Sequence, residues 1–174
     1  MCILPHWGIR KFEKRAAVAA LFAFLMFGFP GLPDGHYVTQ LRAEDGGAVH
    51  REEIEIIGPQ TRLSFDVEIA RTPEEQARGL MFRRSIKPGH GMLFLYPSPQ
   101  EITMWMQNTY ISLDMVFIKA DGSVLRVARD TEPFSETLIY STGDVTGVLE
   151  IGAGEADRLG IRAGDRIHHP HFGN

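Results

Sequence analysis

The densest run of chemistry-bearing side chains lies between Ile102 and Ile118, ITMWMQNTYISLDMVFI. In an extended segment Trp105 points away from Met104 and Met106, so one face is thioether and the other carries an indole. Gln107, Asn108 and Thr109 then supply amide and hydroxyl groups at a turn. Asp114 sits inside the next apolar stretch, on the face shared with Val116 and Ile118. A carboxylate there must be hydrogen-bonded or stand at a pocket mouth, because burying it bare costs several kcal/mol. Trp105, Asn108, Thr109 and Asp114 converging would make an aromatic and polar pocket that stacks on, and hydrogen-bonds, a small polar ligand or sugar. The same groups could equally tie down the loop between two strands by satisfying backbone N–H groups. Both readings stand at this point.

Other patterns are weaker. His168, His169 and His171 surround Pro170 near the end of the chain and could hold Zn, Ni or Cu, although a solvated tail is the plainer reading. Met81, Met92, Met104, Met106 and Met115 cluster enough to suggest a copper-binding protein, but at strand positions they more simply fill a core. Gly152-Ala153-Gly154 imitates a dinucleotide turn; Asp157 then replaces the third glycine, and too little chain follows for a second strand. An envelope hydrolase or lyase would need Asp114 as acid or base with a partner such as His90 or Glu75, and no nucleophile motif accompanies them. The segment GEADRLGIRAGDRI resembles the end of a PDZ-like domain, without the carboxylate-binding loop such domains require.

The elements that must position these residues read as short strands with turn signals. Leu63, Phe65, Val67 and Ile69 alternate with polar or small residues, a period-2 strand with one wet face. Thr72, Pro73 and Glu75 form a capping box with proline at the first helical position, and Gly79 ends or bends the short helix that follows. Gly91–Tyr96, Ile102–Met106, Leu113–Ile118 and Val145–Ile151 are further strands. Asp121-Gly122 is a hairpin turn, and EADRL a single helical turn. About seven short strands with one or two short helices predict a mostly β fold, a compact barrel or sandwich.

Residues 1–43 are a different kind of polypeptide. Arg10, Lys11, Lys14 and Arg15 precede the uncharged apolar run Ala16–Phe29, closed by Pro30. A spanning helix needs ~20 apolar residues, so this run fits a secretory signal peptide, or an uncleaved N-terminal anchor if no cleavage occurs. Cys2, the one cysteine of the 174 residues, precedes the apolar core, which excludes lipidation after it. Thiolate catalysis, a disulfide framework and a zinc ribbon are excluded with it. The formal charge of −4 sums a basic leader and a more acidic remainder, and an acidic chain argues against nucleic acid and anionic lipid. Residues 44–53 then read as an acidic tether, 54–169 as the domain and 170–174 as a tail. Membrane contact is expected only through the leader.

The segments IARTPEEQARGLMFRR, GMLFLY, TMWMQNTYISLDMVFI, ADGSV and VLEIGAGEADRLGIRAGDRI together resemble the DUF192 family, small prokaryotic proteins, many of them exported, with no established activity. The resemblance covers about Phe65 to Ile167. It implies a compact, mostly β barrel-like domain with a short helix after the first long strand. Where the family commonly shows W-M-K-N-T and P-L-D-M, this chain has Gln107 at the lysine position and Ser112 at the proline position. Trp105, Asn108, Thr109 and Asp114 match. The resemblance supplies no catalytic assignment. The expectation is an exported, non-enzymatic binding or accessory domain without a cofactor, acting in the periplasm or at the outer face of the inner membrane. Its partner would be a small polar ligand or an envelope protein.

Overall fold

A computed structural model describes residues 49–173. The leader, its cleavage or anchoring, and residues 44–48 of the expected tether lie outside the described residues. The elements in chain order are β1 (Arg51–Ile57), β2 (Arg62–Ala70), α1 (Pro73–Arg78), β3 (His90–Met104), β4 (Leu113–Ile118), β5 (Val124–Ala128), β6 (Ile139–Gly152), α2 (Glu155–Leu159) and β7 (Arg166–His168), followed by a 3-10 turn, Pro170–Phe172. All seven strands belong to one sheet in the order β5-β4-β6-β3-β2-β1-β7. Only β2 and β3 run parallel; the other pairs are antiparallel. The sheet is therefore mixed, and the fold is mostly β.

The sheet curls until its two edges meet. Ser123, just before β5, bridges Arg166 of β7. Val124 N donates to Asp165 O at 2.7 Å, and Ile167 N donates to Gly122 O at 2.8 Å. Short edges joined in this way leave little unpaired backbone to recruit other chains. The product is a half-barrel whose concave face holds Ile54, Phe65, Val67, Leu93, Leu149 and Ile167. The period-2 strand read from Leu63 to Ile69 is β2, with Phe65 and Val67 turned into this core.

The convex face is covered as well. Phe94, Met104, Met115, Phe117 and Val148 are buried there beneath loops contributing Leu80, Ile86, Met106 and Ile111. All six residues of β4 are buried, which accounts for its five apolar side chains; the sixth is Asp114. At Gly91 a Cβ would lie 2.6 Å from the Glu150 carbonyl oxygen; the bare backbone lets β3 and β6 close up.

Helix α1 forms as its sequence demands. Thr72 Oγ1 accepts from Glu75 N at 3.2 Å, and the Glu75 carboxylate accepts from Thr72 N at 2.9 Å and Arg71 N at 2.8 Å. Gly79 ends the helix at φ 46°. Buried Gln76 then donates to Leu95 O at 2.8 Å, pinning the helix to β3 where that strand loses its regular pairing.

Four boundaries differ from the sequence reading. Strand β6 begins at Ile139, six residues before the strand expected at Val145–Ile151. Arg51–Glu53 belong to β1 rather than to the tether, because their backbones pair with Asp66–Glu68. The two strands expected at 91–96 and 102–106 are one bent strand, β3, whose register shifts between Leu95 and Gln100 around Pro97 and Pro99. The segment after 169 is not a free tail, because Phe172 packs into the concave core with 5% of its surface exposed.

Candidate functional site

Asp114 is wholly buried at the start of β4. Its Oδ1 accepts from Asp130 N and its Oδ2 from Ala156 N, each at 2.9 Å. Both oxygens therefore serve as fasteners, one for the loop 129–138 and one for the first turn of α2. This corrects the expectation that Asp114 meets a ligand or acts as an acid or base: its charge is spent on backbone amides and does not reach solvent. The catalytic alternative also loses its partners, since Glu75 caps α1 and His90 Nδ1 lies 3.4 Å from Asp66.

Asn108 and Thr109 fasten loops through their carbonyls. Asn108 O accepts from Phe82 N at 2.9 Å, and Thr109 O accepts from Phe134 N at 3.2 Å. Met106 N donates to Ser135 O at 2.9 Å. The three loops 79–89, 105–112 and 129–138 are thus sewn together at the Asn108 turn, with the half-buried Trp105 packed against the core beside it. The Trp105 indole N–H is buried without a partner among the described residues, so this ring packs rather than presenting its polar edge. The Thr109 side chain is buried, while the Asn108 side chain is exposed.

What the stitched loops display is a row of aromatic rings. Phe82 and Phe134 are each 58% exposed and Tyr110 is 40% exposed. Tyr110 meets Phe82 edge-on with centroids 6.1 Å apart, and lies 5.1 Å from Phe134. Their burial contributes little to the fold, and two of them carry a conformational cost. Phe82 adopts φ 64° and Phe134 φ 62°, with Asn108 between them at 57°. The left-handed region costs roughly 1–2 kcal/mol for a residue bearing a Cβ, and asparagine tolerates it better than phenylalanine. Bulky side chains held at positive φ and turned to solvent are the kind of strain that collects at binding surfaces. A groove of about 500 Å³ is lined in part by Glu132, Ser135, Leu138 and Tyr140, and by none of the three rings.

Sequence reasoning reached the base of this platform through Trp105, Asn108 and Thr109 and missed its upper surface. Tyr110 directly follows the motif. Phe82 precedes Arg83-Arg84, and Phe134 lies in EPFSE. A lone aromatic among charged residues in a loop was the signal that could have found them.

His169 and His171 stay together, with ring centroids 6.4 Å apart, while His168 is in β7. His169 is buried, and its Nε2 lies 2.8 Å from Glu52 Oε2. His169 Nδ1 accepts from His171 N at 3.1 Å, so the ring is the Nε2–H tautomer and donates to Glu52. His171 Nε2 lies 3.2 Å from Thr146 O. Among the described residues no three His, Cys, Asp or Glu side chains are grouped to hold a metal. Burial lowers the His169 pKa against the pull of Glu52. Burial acts to raise the Glu52 pKa, but hydrogen bonds from His50 and His169 and the charge of Arg71 outweigh it and lower it. The cluster fastens the chain end to β1.

A seven-stranded mixed half-barrel with two short helices and a loop-borne aromatic platform defines a small β-rich domain. The chain belongs to the DUF192 family, described as an uncharacterized ACR, whose model matches residues 55–169. It is similar to a solved protein from Sinorhizobium meliloti 1021, proposed to be a transcription regulator, at 37% identity and a TM-score of 0.71 over 73% of this chain and 99% of that one. It is also similar to a protein of unknown function from Novosphingobium aromaticivorans DSM 12444, at 40% identity and a TM-score of 0.68 over 70% of this chain and 91% of that one. No curated protein matches.

Proposed function

We propose that this chain is an exported, non-enzymatic binding domain of the cell envelope that takes a saccharide on the Phe82–Tyr110–Phe134 platform. The observation that carries the reading is the exposure of these rings on backbone that two of them strain. Exposed aromatic rings with centroids 5.1 and 6.1 Å apart offer stacking area to the C–H faces of sugar rings, and the exposed Asn108 amide, whose Nδ2 lies 3.9 Å from Met81 Sδ, offers its oxygen to hydroxyls. In this role Trp105, Thr109 and Asp114 position the platform, and of the four residues singled out in the sequence only Asn108 joins the rings in touching the ligand. The basic and apolar leader supports work outside the cytoplasm, where polysaccharide is at hand.

The regulatory role proposed for the Sinorhizobium protein is not carried over. The formal charge is −4, and the helices of the described residues span six and five residues, short for a groove-reading helix. The binding reading is tested by retention of the protein on purified peptidoglycan sacculi, comparing the native chain with Phe82→Ala/Tyr110→Ala/Phe134→Ala. Retention that falls at least tenfold supports it. No retention of the native chain, or equal retention of both, contradicts it.

A further inference from the structure

Glu150 stands in β6 with no solvent exposure. Neither of its carboxylate oxygens has a hydrogen-bond partner among the described residues. The register sets Met92 of β3 opposite it on one side and Met115 of β4 opposite it on the other. Directly paired residues share a sheet face, and adjacent strands lie ~4.8 Å apart. The three side chains thus form a row, thioether, carboxylate, thioether, directed into the convex core. That core already holds both methionines. The Tyr96 hydroxyl is also buried without a partner, and burial followed by the charge of Glu150 raises its pKa. Met92 keeps 7% of its surface exposed, while Met115 has none, so the row reaches solvent at one end.

Apolar residues of similar volume would pack here at no electrostatic cost, whereas an unpartnered buried carboxylate is among the most costly groups a fold can hold. We propose that Met92, Glu150 and Met115 bind a soft monovalent cation, Cu(I) or Ag(I). Thioether sulfur is a soft, uncharged donor that favours such ions, and one carboxylate balances one positive charge. Apolar walls would exclude the water and oxygen ligands that harder ions require. Calcium and magnesium need six or more oxygens, and zinc favours imidazole and thiolate donors, none of which the row offers. Burial disfavours a bare carboxylate at Glu150, and a bound monovalent cation would take the place of its proton with no change in net charge. The row contains none of the platform rings and none of the C-terminal histidines, and its test is independent of saccharide binding.

Silver(I), which is not prone to redox change, is the probe. Because the Cys2 thiol also takes silver, the full chain is titrated in the Cys2→Ser form by competition against a chromogenic chelator and by thermal melting. The expected result is one tightly bound Ag(I) per chain and a melting temperature raised by several degrees. Met92→Leu/Met115→Leu, a nearly volume-conserving change, should weaken this binding at least tenfold. Met104→Leu/Met106→Leu, in the same core but outside the row, should leave it intact. Glu150→Gln, isosteric with the protonated acid, should weaken it to a similar degree and carries the test should the double variant fail to fold. An absence of tight silver binding in the Cys2→Ser chain, or binding undiminished by Glu150→Gln, overturns the proposal.

Discussion

Phe134 makes the case at the scale of single residues. Its ring is more than half exposed and its backbone sits at φ 62°, so glycine should suit the fold better than the native residue does. Phe134→Gly is predicted to leave stability unchanged or raise it by up to about 1 kcal/mol, while saccharide binding falls. Urea unfolding beside a binding titration checks both halves; a loss of several kcal/mol would show that the ring serves the fold. Asp114 is the converse. Asp114→Ala removes two hydrogen bonds, one buried and one half-buried, and strands two amides, a cost of roughly 3–5 kcal/mol by denaturant melting. The need for partners at Asp114 was legible in the sequence, since a carboxylate inside LDMVFI cannot stay bare. Which partners it finds was not, because Asp130 and Ala156 lie 16 and 42 residues away, and only the tertiary fold brings them in.

Among the elements, those specified locally were the most legible. The capping box of α1 needs only Thr72, Pro73 and Glu75, and it forms as read. Thr72→Ala should cost about 1 kcal/mol, seen as a matching shift in the urea midpoint. The chain end was misread because nothing local indicates its docking. It depends on Phe172 entering the concave core and on His169 reaching Glu52. Phe172→Ala should cost about 3 kcal/mol, and amide exchange of β1 and β7 should rise first. The docked end should also respond to pH. The His169 pKa is lowered in the fold by burial, with Glu52 pulling it up and Arg71 and His171 pushing it down; His50 shares Glu52 from the other side. The neutral ring is therefore favoured, and its contribution to stability is fully present above the unfolded value near 6.5. That contribution is lost as pH falls from there through the lowered folded value. Protonation of Nδ1 would also remove the acceptor for His171 N. Melting across pH 4.5–7.5 should show this dependence flattened in His169→Gln.

For the whole molecule, composition and alternation indicated a mostly β domain, and the resemblance to DUF192 agreed with the half-barrel found. The joining of β5 to β7 was not legible, since edge pairing depends on how far the sheet curls rather than on any one strand's pattern. The platform was half legible for the same reason: Trp105, Asn108 and Thr109 adjoin in sequence, while Phe82 and Phe134 arrive on loops from either side. The whole fold brings three loops to one edge and holds two phenylalanines at positive φ in solvent, so the account stands on whether that surface binds. Retention on purified peptidoglycan sacculi measures this most directly. The account predicts that the native chain is retained and that Phe82→Ala/Tyr110→Ala/Phe134→Ala, folded by its melting curve, is retained at least tenfold less. Equal retention of the two proteins, or none of either, would contradict it.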